Sequence, residues 1–471
     1  MELYERLCKN CGEHLSETVD GKYVCNSCGA IYCEKKSGET ASEAASKVRS
    51  ASNPCRCLHL EPNKYTKSYS VCGISGCFDT EIIIPATYDG LPITEIADKA
   101  FMNCENMIRV VIPKGVKSIG DSAFSSCKNL KEVTVPNSVD SIGNYAFNDC
   151  RSLTAVYIPG SVKSIGEWAF AGCSSLKEIN ISEGLTSLGW SAFKNCTSLS
   201  NINIVPNNAK FKSVDGNVYG KNGETLMRYA PGKTDRSFAI PDGVVDIGEG
   251  AFDGCKVIEN ITIPYGITSI ADFAFRDCEE IVDITIPESV TSIGIHAFSG
   301  CEKLESIIIP DGVTSIGNSA FYYCKSLSNV TLPDSIKYIG YCAFECCTAI
   351  KSITIPNSVI GIDSKAFDEC SCLESITLPD CFDNIATDAF KNCVNLKSVT
   401  ISKNVIKINR FSTLFKDSPD LKEVIFENPT GWRKAGGGLF SKIPEKILLD
   451  PQKAAEVLKT KYANADLVCL K

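Results

Sequence analysis

The sequence predicts a repeat solenoid, a right-handed coil carrying parallel β-sheet with about 23 residues per turn. Three observations lead there. An Ala-Phe pair recurs at Ala100, Ala123, Ala146, Ala169 and Ala192 and, after one break, at Ala251, Ala274, Ala297, Ala320, Ala343, Ala366 and Ala389. Within each period a run such as Leu130-x-x-Val133-x-Val135-Pro136 ends in strand-like alternation and stops at proline, which cannot donate to a ladder. One period also holds too little apolar surface to offset its ordering entropy, so neighbouring coils must stack and bury a shared core.

The remaining positions of the unit complete the turn. Gly143 marks a second corner, and Ala123-Phe124-x-x-Cys127 has the three-residue spacing of a short inward-facing helical turn. These residues resemble the BspA-like type of leucine-rich repeat, whose unit reads Leu-x-x-Ile-x-Ile-Pro-x-x-Val-x-x-Ile-Gly-x-x-Ala-Phe-x-x-Cys. The resemblance covers about 370 residues, from near Tyr69 to Pro429. It implies a leucine-rich-repeat coil, no catalytic residues in the repeats, and a relation to surface adhesins and interaction proteins of bacteria and some protists. The chain also lacks a phosphate loop, a nucleophile elbow and a dinucleotide fingerprint, so the expectation is that it is not an enzyme.

Ahead of the repeats, Cys8-x-x-Cys11-Gly12 and Cys25-x-x-Cys28-Gly29 form two knuckles. Two thiolates at that spacing grip one metal from a tight turn, and four complete a tetrahedral set. Residues 1–33 are therefore expected to be a zinc ribbon with a structural Zn²⁺ on Cys8, Cys11, Cys25 and Cys28; it resembles the small ribbons at the front of many bacterial proteins. His14 and Cys33 are spare, since the sulfur set is already complete. The ribbon carries Arg6, Lys9 and Lys22 against Glu2, Glu5, Glu13, Glu17 and Asp20, too little positive charge to attract a nucleic-acid backbone. Residues 34–53 read as a flexible linker of Ser, Ala, Glu and Lys.

The solenoid is expected over residues 54–430. Tyr69 to Cys77 resembles the hairpin that opens it and covers the first coil, in preference to a metal site on Cys55, Cys57, His59, Cys72 and Cys77. The break in the period holds an insertion near 207–238, read as a hairpin of Val214–Tyr219 and Thr225–Tyr229 about Asn222-Gly223. The outward strand position is Thr134, Thr262, Thr285, Thr331, Thr354, Thr377 and Thr400, with Tyr157, Asn180, Asn203 and Ile308 as departures. After Phe390 the pattern loosens, Leu414-Phe415 take the Ala-Phe place, and Leu421-x-x-Val424-x-Phe426 makes a last strand. Residues 431–471 are expected to cap the end with a helix begun by Asp450-Pro451.

Charge and cysteine use bound the setting. With 48 Lys+Arg against 56 Asp+Glu the net charge is −8, which disfavours non-specific attraction to nucleic acid or anionic membrane. No run approaches the roughly 18 apolar residues of a membrane-spanning helix, and Met1 to Cys8 has neither a basic start nor an apolar run. Of 26 cysteines, twelve lie in the repeat column: Cys104, Cys127, Cys150, Cys173, Cys196, Cys255, Cys278, Cys301, Cys324, Cys347, Cys370 and Cys393. In an in-register stack they point alike and act as small buried hydrophobes. The expectation is thus a cytoplasmic, monomeric scaffold that binds protein partners, with a surface adhesin or a ribbon-directed nucleic-acid protein as the alternatives.

Overall fold

The computed structural model describes residues 15–17, 22–25, 31–33, 58–63, 65–74, 80–378, 386, 388–408, 415, 417–435, 441–462 and 466–469. It divides into two compact units, 1–221 with 230–233 and 222–229 with 234–471, and each is described by itself. Both are parallel β-solenoids, wound right-handed as parallel crossovers are.

In the first unit each coil contributes two strands rather than one. The expected strands form two three-stranded parallel sheets, one in which Val133 pairs with Val110 and one in which Ile179 pairs with both Val156 and Ile202. A further parallel sheet, not foreseen from the sequence, joins Ser118–Ile119, Ser141–Ile142, Ser164–Ile165 and Ser187–Leu188. The corner assigned to Gly143 follows this second strand. A Cβ there would meet Asp121 Oδ1 at 2.5 Å and Asp121 N at 2.7 Å, so only glycine lets the coils approach so closely. Asp121 Oδ1 uses that approach to accept the Asn144 N–H at 2.7 Å, as Asp98 does from Asp121 and Asn144 from Glu167.

The Ala-Phe-x-x-Cys segment is not a helical turn. Ser122 just before it and Ser126 within it have φ of 56° and 61°, and Tyr145, Trp168, Phe273 and His296 occupy the left-handed position of Ser122 further along the chain. Alternate amides consequently point in different directions. Ser122, Phe124 and Ser126 donate to Asn144, Ala146 and Asn148 of the next coil at 2.7 Å, while Ala123, Ser125 and Cys127 donate three residues back within their own coil. The segment is a third inter-coil ladder, which offsets the roughly 1–2 kcal/mol that a left-handed non-glycine residue costs.

The core lies between the sheets and this turn. Ala123, Phe124, Cys127, Leu130, Val139 and Ile142 are at most 1% exposed, and their described equivalents in later coils are buried too, apart from half-buried Leu188. The phenylalanines stack face to face, with ring centroids 5.1 Å apart from Phe101 to Phe124 and from Phe124 to Phe147. Leu58–Asn63 runs antiparallel to Ser68–Ile74, which in turn runs parallel to Leu91–Ile96 and so covers the first short-strand edge. The turn of the opening hairpin therefore precedes Tyr69, whose strand Ser68–Ile74 is the second arm, while Cys77 lies outside the described residues; Asn63 Oδ1 makes the turn by accepting the N–H groups of Tyr65 and Thr66.

The inserted segment also departs from expectation. Its hairpin pairs Phe211–Val214 with Asn217–Gly220 about Asp215-Gly216, whose φ values of 48° and 75° fit a type I′ turn. Buried Asn208 ties it down, donating to the carbonyls of Ser182, Glu183 and Leu185 and accepting from Lys210 and Phe211. In the second unit Thr225–Arg228 pairs in parallel with Asp246–Ile247, so this part of the break is already solenoid.

The second unit repeats the same plan, with phenylalanine stacking from Phe252 to Phe390 and on to Phe415. Its end is closed by α1 (Glu445–Leu448), α2 (Pro451–Lys459) and antiparallel strands. Asp450 Oδ1 caps α2 by accepting the Lys453 N–H at 3.1 Å. Ala454, Ala455 and Leu458 are buried, α2 packs against the strand Glu423–Phe426, and Trp432 meets Phe426 edge-on at 5.2 Å. Asp466–Cys469 pairs antiparallel with Lys407–Ile408, covering the last short-strand edge. Deleting residues 431–471 should uncover Val424 and Phe426 with their strand edge and cause aggregation or proteolytic loss of the last coils. Light scattering and limited proteolysis check this; a soluble, equally resistant truncation would mean that the tail is not a cap.

Candidate interaction faces

The longer strands place every second side chain outside the coil. Val133, Ile261 and Ile376 point in, while Thr134, Thr262, Thr285, Thr331, Thr354 and Thr377 are exposed and Thr400 is half-buried. The neighbouring outward column is also mostly uncharged in the second unit, with Asn260, Asn329, Ser352 and Ser375 exposed. The result is a flat floor of hydroxyl and amide groups. Two departures are bulky and wet: Tyr157 is 58% exposed and Ile308 67%. Tyr157 Oη lies 2.8 Å from Ser182 Oγ, and Asn203 Nδ2 donates to Asn180 Oδ1 at 3.0 Å, so the polar departures in the first unit bond across coils.

The repeat cysteines are structural. From Cys127 to Cys196 and from Cys278 to Cys393, each Sγ donates to the carbonyl of the phenylalanine one coil earlier, at 3.0 to 3.4 Å. All are free thiols and all but Cys104, which is half-buried, are buried. Burial pushes Cys127 and Cys393 up to about 12 and Cys150, Cys278, Cys301 and Cys347 well above the ordinary thiol value. These groups stay protonated and unreactive at neutral pH.

Charge inside the second unit is likewise committed to packing. Arg276 forms a forked pair with Asp253, Nε to Oδ1 at 2.9 Å and Nη2 to Oδ2 at 2.5 Å, and its guanidinium lies over the Phe273 ring. Arg228 donates to the carbonyls of Met227 and Glu249, and burial lowers it to about 10. The described histidines stand in unlike settings. His59 is exposed on the opening hairpin, 3.9 Å from Glu61, and the His296 ring stacks on Phe273 at 5.3 Å.

Of the expected zinc ligands, Cys8, Cys11 and Cys28 lie outside the described residues, as does His14. Cys25 ends the middle strand of a three-stranded antiparallel sheet, Leu15–Glu17, Lys22–Cys25 and Ile31–Cys33, in which it pairs with Leu15. Cys55, Cys57 and Cys77 also lie outside the described residues.

With this geometry in place, comparison with known proteins is specific for the fold. The profile of the BspA type leucine rich repeat region matches residues 94–218, 233–347 and 314–442, well over half of the chain. The chain belongs to the BspA-type leucine-rich repeat family. A leucine-rich repeat protein from Eubacterium ventriosum is 26% identical over 72% of this BspA-type chain and 93% of its own, with a TM-score of 0.55. One from Bacteroides ovatus is 28% identical, covering 78% and 98%, with a TM-score of 0.41. A leucine rich cell surface protein from Faecalibacterium prausnitzii is 25% identical, covering 74% and 93%, with a TM-score of 0.42. No curated protein matches the chain. No helix among the described residues is long and apolar enough to cross a membrane.

What sequence reasoning missed on these faces are single departures from the repeat. Tyr265, after the strand, is 84% exposed, and Tyr145, Trp168 and Trp190 form a row of rings on the turn side. The signal was available: in a copied column, the residue that differs is the informative one.

Proposed function

We propose that this BspA-type protein is a non-enzymatic scaffold that binds protein partners on the exposed face of its longer-strand sheets. The observation carrying this reading is the exposure of Tyr157 and Ile308 in a column that otherwise carries mainly threonine. Large side chains on a rigid, flat support lose little entropy on binding and are the usual anchors of interfaces. The family and its repeat architecture support the same reading. A benzoylphenylalanine photo-crosslinker at Thr285 of the full chain should give discrete protein adducts in its native extract, whereas one at Lys365 on the turn side should not. Equal adducts from both positions, or none from either, would overturn the reading.

The N-terminal segment is proposed to be a structural zinc ribbon that serves as a second docking module, with Zn²⁺ held by Cys8, Cys11, Cys25 and Cys28. Support comes from the knuckle spacing and from the small antiparallel sheet around Cys25. Elemental analysis of the full chain should find about one zinc per molecule, lost when Cys8 and Cys11 are both replaced by serine. Metal content unchanged by that pair would contradict the assignment. The column of free thiols supports a reducing compartment, the cytoplasm, as the working location.

A further inference from the structure

Inter-coil charges in the second unit follow two opposite rules. Beside the start of the longer strands, opposite charges sit one coil apart and pair. Lys256 meets Glu279 at 2.6 Å, Lys303 meets Glu280 at 2.6 Å and Lys325 meets Glu302 at 3.2 Å. Beyond the strand's closing proline the column reads Asp242, Tyr265, Glu288, Asp311 and Asp334 in successive coils. All five are exposed, and these carboxylates carry no ion pair among the described residues. Register holds across the strands, with Asn260 opposite Asp283 and Ile308 opposite Thr331. Like charges therefore recur about 4.8 Å apart per coil, an arrangement that is destabilising.

The two apolar departures lie on this same flank. Tyr265 interrupts the acidic column at 84% exposure, and Ile308 stands on the adjoining floor two coils further on at 67%. On the other side, exposed Asp283 stands in the floor column opposite Asn260 and exposed Glu305 just precedes the strand Ser306–Ile308, both without an ion pair among the described residues. The face thus has apolar anchors on a mainly hydroxyl and amide floor, with an unneutralised acidic column along one flank and the unpaired carboxylates of Asp283 and Glu305 on its other side.

We propose that this face of the second unit, from Asp242 to Asp334, docks a basic polypeptide segment, one whose Lys or Arg residues flank an apolar residue. The inference rests on the scaffold reading of the same sheets and names its partner's chemistry. Lysine and arginine on the segment would neutralise Glu288, Asp311 and Asp334, while its apolar residue would cover Ile308 and Tyr265. Charge complementarity selects this occupant: the unpaired carboxylates repel an acidic segment, and a neutral one would leave them unmatched.

The test uses the full chain and a fluorescein-labelled synthetic peptide with lysines on both sides of a leucine pair, read by anisotropy. Replacing Glu288→Gln, Asp311→Asn and Asp334→Asn together should weaken binding by about tenfold or more and flatten its salt dependence. Ile308→Thr should weaken it by about tenfold at unchanged salt slope. The triple variant should also melt no lower than the parent, because a like-charge column is relieved; this separates lost docking from lost folding. A control with Glu105→Gln, Glu132→Gln and Glu178→Gln in the first unit removes as much charge and should bind as the parent does.

Equal loss in the control, or full binding by the triple variant, overturns the proposal in favour of diffuse attraction. A calcium-dependent rise in melting temperature that the triple variant lacks, without peptide binding, overturns it in favour of a cation site. Crosslinks from Thr285 to a native partner that persist in the triple variant would sink the basic-segment proposal and leave the scaffold reading standing. Absence of those crosslinks in the parent strikes the scaffold reading itself.

Discussion

Each solenoid unit depends on the carbonyl of the repeat phenylalanine. Phe275 O accepts the Cys278 N–H within its own coil at 3.3 Å and the Cys301 thiol of the next at 3.2 Å. Both lone pairs are used, in a place where a buried acceptor left bare would cost about 1–3 kcal/mol. The thiol suits this position. Alanine could not donate, whereas serine would bring a more polar group into a site already held by rings and aliphatic chains. One small side chain thereby links the stacked phenylalanine column to the backbone ladder of the turn, and coil-to-coil spacing is set on all three sides.

Because spacing is fixed in this way, outward positions are free to vary without disturbing the coil. Polar side chains still mark the coil-to-coil rise, as in the Asp98, Asp121 and Asn144 ladder and the Lys303–Glu280 pair. Exposed ion pairs of this kind add little stability, about 0–1 kcal/mol each. Their use is in showing what the surface does when it is neutralised. Against them, the same-sign column of Glu288, Asp311 and Asp334 and the exposed Ile308 are departures that folding alone does not account for.

Much of this was legible in the sequence, because a solenoid writes its inward positions repeatedly. The Phe column, the strand through Val133, the inward burial of Val135, the Asp450 cap and the final strand through Val424 all stand where periodicity and capping chemistry put them. What escaped is physically consistent. Ser141–Ile142 is too short for alternation to mark it as a strand. The left-handed turn is occupied by Tyr145, Trp168 and Phe273, which bear no local sign of positive φ and are held there by inter-coil amides. At the insertion Asn222-Gly223 was the stronger turn signal, yet Asp215-Gly216 makes the hairpin while Thr225–Arg228 is taken by the parallel ladder. The BspA-type family follows from the repeat, whereas the face had to be read from side chains that break it.

The central claim is that thiol-to-carbonyl contacts couple each coil to the next, and native-state hydrogen exchange of Cys301→Ala tests it most directly. The amides of Phe275 and Phe298, which donate to Ala297 and Ala320, report opening of the coils on either side. The account predicts that both exchange faster by about tenfold or more, reflecting a loss of about 1–3 kcal/mol from the bared carbonyl and the small cavity. Exchange at both amides unchanged from the parent would contradict it and leave the cysteine column as mere filling.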